Sequence, residues 1–237
     1  MDNRSKKKFG IIVSGGPAPG INGVIHAATI EARTKGYEVI GIYDGFKHLM
    51  EGELVATPLT IDDVSRIYLK GGSILRTSRA NPTQEEEHLR LCGQTLIDAD
   101  IGYLFVIGGD DTAYAAYRVA RYAQEHMGAD IQVAHAPKTI DNDLPLPEEI
   151  NTFGFETARQ VGTEITMTLM EEALTGLRWF VVVTMGRKTG HLGLGIGKSS
   201  GATLTLIPEE WEGRTIRMQE VVDILVTSIL KRMADDK

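Results

Sequence analysis

The chain has 237 residues, of which 42% are hydrophobic and 24% charged, and its formal net charge is -7 at pH 7. This length and composition are typical of a globular protein with one or two cores, and the acidic balance excludes a broad nucleic-acid-binding surface. The single cysteine excludes an intrachain disulfide, and no apolar run approaches the ~18 residues of a membrane-spanning helix, so we expect a cytoplasmic protein without a membrane partner.

Short apolar runs alternate with longer stretches of helical period along the chain. The runs predict strands at residues 9–13, 38–43, 103–107, 131–136, 179–184 and 202–207. Strands that alternate with helices in this way are typical of an α/β fold with a mainly parallel sheet and crossover helices. In the run WFVVVT we expect Trp179 to pack in the core.

Helix starts are marked by a threonine with an acid three residues later. TIDD at residues 60–63 and TQEE at 83–86 both have this pattern, which predicts a Thr N-cap in each. The last predicted helix, residues 221–233, is amphipathic, and the chain ends soon after it. A doubly wound unit normally returns from a helix into another strand, so we expect an incomplete second lobe or a partner chain that covers its sheet edge.

The longest irregular stretch is PKTIDNDLPLPEEINTFG, residues 137–154, which contains three prolines. A loop of this length usually has a function. It also separates the first group of predicted strands from the second. We therefore predict two doubly wound Rossmann-like lobes, residues 1–150 and 151–237, with a cleft between them.

The first strand leads into SGGPAPGIN, residues 14–22, where Gly15 and Gly16 permit a tight turn before a helix. A glycine-rich turn at this place offers backbone N–H groups to a phosphate. The stretch is neither GxGxxG nor a Walker A motif. From these residues alone, a phosphate-binding loop and a plain strand-to-helix turn both remain open.

Two adjacent carboxylates, Asp110 and Asp111, follow the third strand in IGGDDT, at the sheet edge where open α/β folds bind ligands. A favourable interaction with the helix N-terminus explains one of them. Mg²⁺ bound by Asp110 would remove the repulsion between carboxylate and phosphate. Lys138, between Pro137 and Thr139, is placed to meet an anion, although the Asn and Asp residues after it are also typical of turns.

Seven motifs, SGGPAPGIN, GGSILRTSR, IGGDDT, PKTIDND, GFETA, MGRKTGHLGLG and TLIPEE, occur in the order and approximate spacing of the phosphofructokinase family. The resemblance covers about residues 9–212, and seven ordered motifs are far more specific than one GGD turn, which other kinases share. It implies a phosphofructokinase-like pair of lobes. It also implies in-line transfer of a phosphoryl group to the C1 hydroxyl of fructose 6-phosphate, with catalysis by positioning and charge stabilisation.

The resemblance assigns roles to residues of the first lobe and the loop after it. Asp141 matches the family's catalytic base, which takes the proton of the hydroxyl. Thr139 and Asp143 match neighbours that orient the reacting groups and help with the metal. Asp110 matches the magnesium-linked aspartate, and Arg79 is similar to the arginine that stabilises the transferring phosphoryl group.

The sugar-binding residues implied by the resemblance are in the second lobe. Arg178 and Arg187 resemble arginines that hold the sugar phosphate, Met185 and Gly186 match residues that line the sugar, and Glu209 matches the acceptor of sugar hydroxyls. Arg178 would act across a subunit interface, so the resemblance implies a homo-oligomer, a dimer or tetramer with shared sites. Family members also have a later segment that supplies a His and an Arg to the sugar 6-phosphate, so we expect an incomplete sugar site.

The phosphoryl donor is indicated by two departures from the ATP-using relatives, which have glycines where this chain has Asp111 and Lys138. A carboxylate at Asp111 would repel the α-phosphate of ATP; two unit charges about 4 Å apart at an effective dielectric near 20 cost roughly 4 kcal/mol. Lys138 would supply a cation for pyrophosphate and its departing phosphate. The resemblance therefore implies a reversible, pyrophosphate-dependent enzyme that uses Mg²⁺.

Three functional hypotheses remain from the sequence. The first is a pyrophosphate-dependent phosphofructokinase, given either as a fragment or as a short form that another chain completes. The second is a non-catalytic phosphate-binding or regulatory subunit. The third is an ATP-dependent enzyme or a kinase for another sugar phosphate, such as sedoheptulose 7-phosphate.

Overall fold

The computed structural model describes residues 7–147, 149–187 and 189–234, and these divide into two compact units. Unit 1 comprises Met1–Thr139 and Leu146–Gly154, and unit 2 comprises Ile140–Pro145 and Phe155–Lys237. The boundary that the sequence places near residue 150 therefore falls within a short segment that returns to unit 1.

Unit 1 is built on a six-stranded sheet of order β3-β2-β1-β4-β5-β6. Its strands are β1 Lys8–Val13, β2 Val39–Ile42, β3 Ala56–Leu59, β4 Ile101–Gly108, β5 Gln132–Thr139 and β6 Phe153–Gly154. All neighbouring pairs are parallel except β2 with β3. The α/β class with a mainly parallel sheet is confirmed, while β3 and β6 were not predicted.

The sheet is covered on both faces, which explains why its strands are nearly continuous apolar runs. Ile11 and Val13 of β1 point to one face and pack with α1, whereas Ile12 points to the other and packs with α3 and α4. Cys92 belongs to the second cluster, and burial raises the pKa of its thiol to about 12. This cysteine is therefore not a candidate nucleophile.

Seven α-helices lie within the described residues. They are α1 Ile21–Thr34, α2 Ile61–Val64, α3 Glu86–Asp98, α4 Asp110–Met127, α5 Phe155–Gly176, α6 His191–Ser200 and α7 Met218–Ala234. The helix predicted at residues 221–233 is confirmed as α7. No helix in the described part of the chain is long and apolar enough to cross a membrane.

One of the two predicted caps is confirmed and the other is wrong. Thr60 caps α2, because its hydroxyl accepts a hydrogen bond from the Asp63 N–H (3.2 Å) while its own N–H donates to the Asp63 carboxylate (2.8 Å). Thr83 does not cap α3. The Thr83 N–H instead donates to the Asn81 side chain (3.0 Å), which caps a short 3₁₀ helix at Pro82–Gln84. The helix α3 starts only at Glu86.

The strands predicted at residues 179–184 and 202–207 are not formed. A strand needs a neighbour to satisfy its N–H and C=O groups, and no strand of the described part of unit 2 pairs with either segment. Trp179 is 47% exposed and Val183 89% exposed, so the core position expected for Trp179 is also wrong. The core of unit 2 lies instead between α5 and α6, around Phe155, Leu192 and Ile196.

Asn22 of α1 holds the loop of residues 70–74 through hydrogen bonds. It is 2% exposed; its amide nitrogen donates to the carbonyls of Lys70 (3.0 Å) and Gly71 (3.3 Å), and its side-chain oxygen accepts from the Ile74 N–H (2.9 Å). Because one side chain satisfies three main-chain groups, this loop depends on it.

Replacing Asn22 by Ala is expected to lower the free energy of unfolding by about 2–3 kcal/mol, since buried polar groups lose their partners. Urea unfolding at equilibrium measures the change. Gln94→Ala is the control, because Gln94 makes one exposed side-chain hydrogen bond, to Asp98, and its loss should change stability by less than about 0.5 kcal/mol. A cost for Asn22→Ala no larger than that of the control would contradict the assigned role.

Candidate functional site

Three parallel strands of unit 1 end side by side. Val13 of β1 pairs with Ile107 of β4, and Gly108 of β4 pairs with Pro137 of β5. Parallel neighbours lie about 4.8 Å apart and their carboxyl ends share one edge. This edge, called the strand-end site below, comprises residues 14–16, 109–111 and 138–139.

Lys138 lies in the strand-end site against the glycine turn. It is 5% exposed, and its Nζ donates a hydrogen bond to the Gly16 carbonyl. A Cβ added to Gly15 would lie 3.4 Å from the same Nζ. The glycine turn and Lys138, which the sequence identified only separately, are therefore in contact. The hydrogen bond holds the ammonium group of Lys138 close to the backbone of the turn.

The glycine turn is also tied to the segment that ends in Arg79. Gly15, at a φ of +89°, donates its N–H to the Ser78 carbonyl (2.8 Å) and accepts at its own carbonyl from the Thr77 hydroxyl (2.7 Å). A Cβ added to Gly16 would lie 3.6 Å from Nη2 of Arg79. Arg79 and Lys138 are thus two cationic groups beside one turn, an arrangement that suits a multiply charged anion.

Asp110 and Asp111 are both exposed, in the first turn of α4, where the helix N-terminus favours a carboxylate. The helix begins at this place because Gly108 has no side chain. A Cβ there would lie 2.2 Å from the Thr112 hydroxyl, which is buried under the strand end. The glycines of IGGDDT therefore allow α4 to start close to the sheet, with its two acids facing solvent.

The predicted magnesium ligand, Asp110, supplies one exposed carboxylate. Among the described residues, the one group of three acidic or histidine side chains with ligand atoms within 4.8 Å of one another is His48, Glu51 and Glu53, outside the strand-end site. Asp110 thus fits a hard cation that takes one or two protein carboxylates and completes its coordination with phosphate and water oxygens, as magnesium does.

In unit 2, Asp141 is held next to Gly186. Asp141 is 6% exposed, and its carbonyl lies 3.0 Å from the Thr189 hydroxyl, which is also 3.2 Å from the Gly186 carbonyl. The Thr189 N–H donates to Gly186 as well (2.9 Å). Thr189 was not predicted as a site residue, although a hydroxyl within the glycine-rich motif MGRKTGHLGLG was a signal for such a loop contact.

Glu209 contacts Gly190, the residue that follows Thr189. Its carboxylate accepts a hydrogen bond from the Gly190 N–H (2.8 Å), and this bond holds the pKa of Glu209 below its usual range. The structure therefore brings Asp141, Gly186 and Glu209 together around Thr189 and Gly190.

The remaining predicted residues of unit 2 are less constrained. Asp143 is half-buried, Met185 and Arg187 are exposed, and Arg187 has a φ of +52°. Arg178 is exposed and lies 3.4 Å from the Glu172 carboxylate at the end of α5. Within unit 2, then, Arg178 pairs with a surface acid.

The lowered pKa of Glu209 predicts a pH-dependent contribution to stability. Because the folded pKa lies below the ordinary value of 4.5, the contribution is present above about pH 4.5 and is lost as pH falls through the folded pKa. We expect Glu209→Gln to be less stable than the parent at pH 7 and to approach it near pH 3. Thermal unfolding at both pH values tests this, with Glu210→Gln as control, and a difference that is the same at both would contradict it.

The phosphofructokinase family model matches residues 8–234. Two curated relatives are named pyrophosphate–fructose 6-phosphate 1-phosphotransferase: that of Thermotoga maritima is 56% identical over 227 residues and that of Naegleria fowleri 49% over 236. The matches cover 95% and 97% of this chain and 53% of each relative, so the chain spans about half the length of these relatives. Further relatives, 35–37% identical, are named ATP-dependent 6-phosphofructokinases.

The fold agrees with the sequence comparison. The solved structure of Pichia pastoris phosphofructokinase in the T-state matches with a TM-score of 0.80 and 25% identity, over 100% of this chain and 25% of that one. The resemblance of the seven motifs is therefore confirmed both by sequence and by structure. The chain belongs to the phosphofructokinase family.

Proposed function

We propose that this chain transfers a phosphoryl group from pyrophosphate to the C1 hydroxyl of fructose 6-phosphate, with Mg²⁺, giving fructose 1,6-bisphosphate and phosphate. The observation that carries the proposal is the buried Lys138 held against the Gly15–Gly16 turn, on the same strand edge as Asp111. The names of the two relatives at 56% and 49% identity support it. We also propose that it acts in the cytoplasm as a homo-oligomer with shared sites.

Pyrophosphate would bind at the strand-end site. Arg79, whose guanidinium is always charged, and the Lys138 ammonium would supply positive charge beside the turn, and this charge would stabilise the transferring phosphoryl group and the departing phosphate. Bound magnesium would offset phosphate charge, with Asp110 holding it and Thr139 and Asp143 helping. Asp111, next to Asp110, would repel the α-phosphate of ATP.

The acceptor would be activated by Asp141. Its carboxylate takes the proton from the C1 hydroxyl as the oxygen attacks phosphorus, the bridging P–O bond of pyrophosphate breaks, and phosphate leaves. Glu209, Gly186 and Met185 would contact the sugar, and its 6-phosphate would meet the two arginines Arg178 and Arg187. In the reverse direction, inorganic phosphate would attack the C1 phosphate of the bisphosphate and re-form pyrophosphate, and we propose that the reaction is reversible.

Equilibrium binding tests the donor assignment independently of turnover. In isothermal titration of the chain with Mg²⁺ present, we expect pyrophosphate to bind at least about tenfold more tightly than ATP, a difference of roughly 1.4 kcal/mol. Arg79→Met should weaken pyrophosphate binding, whereas Arg90→Met, which removes an exposed arginine on α3, should leave it unchanged. Equal or tighter binding of ATP would contradict the proposal.

A further inference from the structure

We propose that Thr77 is a positioning residue of the pyrophosphate site. Its hydroxyl would fix the Gly15–Gly16 peptide so that the Gly16 N–H faces the bound phosphate, and it would hold Arg79 beside that N–H. This inference rests on the proposed function, because it concerns how the same site binds its donor.

The first step concerns the direction of the Gly15–Gly16 peptide. The Thr77 hydroxyl donates to the Gly15 carbonyl at 2.7 Å. A trans peptide is planar, with its C=O and N–H on opposite sides. A carbonyl that accepts from the Thr77 hydroxyl therefore directs the N–H of Gly16 away from that hydroxyl.

The second step concerns which donors of the turn are free for a ligand. The Gly15 N–H donates to the Ser78 carbonyl (2.8 Å), and Pro17 has no N–H. Within the described ranges, the Gly16 N–H makes no hydrogen bond to the protein. The Gly16 N–H is therefore a donor available to an anion, and the cationic groups of Lys138 and Arg79 both lie close to Gly16.

The third step concerns Arg79. Thr77, Ser78 and Arg79 are consecutive, so the hydrogen bond from Thr77 to the turn also helps to fix the backbone position of Arg79. The segment is anchored on its other side, since the Ser78 hydroxyl donates to the Asp44 carbonyl (2.6 Å). Within residues 77–79, the Thr77 side chain thus makes the hydrogen bond to the glycine turn, and the Arg79 guanidinium lies close to Gly16.

The test compares Thr77→Val, which keeps the shape but removes the hydroxyl, with Thr77→Ser, which restores it. Isothermal titration with pyrophosphate and Mg²⁺ is expected to show binding weakened about three- to tenfold in Thr77→Val and near the parent value in Thr77→Ser. The matched control is Thr168→Val on α5, which also loses a hydroxyl-to-carbonyl bond, to Glu164 (3.0 Å), and should bind as the parent does.

A second readout is the amide resonance of Gly16, followed by NMR during titration of the parent with pyrophosphate. We expect it to shift at saturation. Parent-like binding by Thr77→Val, failure of Thr77→Ser to restore binding, or a Gly16 resonance that does not move would each overturn the inference while leaving the donor assignment intact. Failure of the parent to bind pyrophosphate would overturn the donor assignment and this inference with it.

Discussion

Replacing Asp141 by Asn is expected to lower kcat for transfer from pyrophosphate about a thousandfold, with little change in KM for fructose 6-phosphate, because general-base catalysis contributes roughly 10²–10⁴. The amide has the shape of the carboxylate but cannot take the hydroxyl proton. Asp141 is 6% exposed and its carbonyl is fixed by Thr189, so the loop should keep its conformation in the variant.

Steady-state assays of bisphosphate formation measure the effect. Asp98→Asn is the control, because Asp98 lies at the end of α3 and its carboxylate accepts a bond from Gln94 on the surface. Thermal unfolding checks that both variants fold. A loss in kcat smaller than about tenfold in a folded Asp141→Asn protein would be too little for a general base.

The second large effect is expected from the pair Asp111→Gly and Lys138→Gly, which should weaken use of pyrophosphate about a hundredfold or more and permit use of ATP. Removal of Lys138 takes away the cation beside the turn, and charge-assisted contacts of this kind are each worth roughly 1.5–3 kcal/mol. Removal of Asp111 takes away the carboxylate that repels a nucleotide.

Solvent access to Asp111 sets the size of the ATP effect. The repulsion is roughly 4 kcal/mol at an effective dielectric near 20 but about 1 kcal/mol in water. Because the Asp111 side chain is exposed, Asp111→Gly alone should raise ATP use at least about fivefold, with about a thousandfold as the upper limit when bound substrate excludes water.

The two positions need different controls. Lys138 is 5% exposed, so Lys138→Gly leaves a hole, whereas Lys138→Met removes the charge and keeps most of the side-chain volume. Comparing kcat/KM for the two donors in the single and double variants separates exclusion of ATP from binding of pyrophosphate. A donor preference unchanged in the folded double variant would refute the charge argument.

The sequence predicted the buried part of the sheet because strands covered on both faces are apolar throughout. It missed β3, an antiparallel edge strand that contains Pro58, and β6, which has only two residues. The same rule failed for residues 179–184, where apolar composition indicated a strand but composition says nothing about whether a pairing partner exists.

The candidate site could be predicted in its parts but not in its contacts. The glycine turn, the paired acids and Lys138 were recognisable by residue type and by resemblance. Their meeting at one edge depends on the strand order β1-β4-β5, which brings together segments more than 120 residues apart, as in the bond from Lys138 to Gly16. Thr77 and Thr189 each donate a hydroxyl hydrogen bond to a main-chain carbonyl, and residue type alone does not identify which carbonyl is contacted.

The most direct test of the central claim is formation of fructose 1,6-bisphosphate by this 237-residue chain from fructose 6-phosphate and Mg²⁺, with pyrophosphate and ATP compared in parallel. We predict turnover with pyrophosphate and little or none with ATP. Turnover with ATP instead would contradict the roles proposed for Asp111 and Lys138. No turnover with either donor by the folded chain would contradict the proposal that the chain itself is an enzyme, and would mean either that activity requires residues beyond 237 or that the chain is a phosphate-binding subunit.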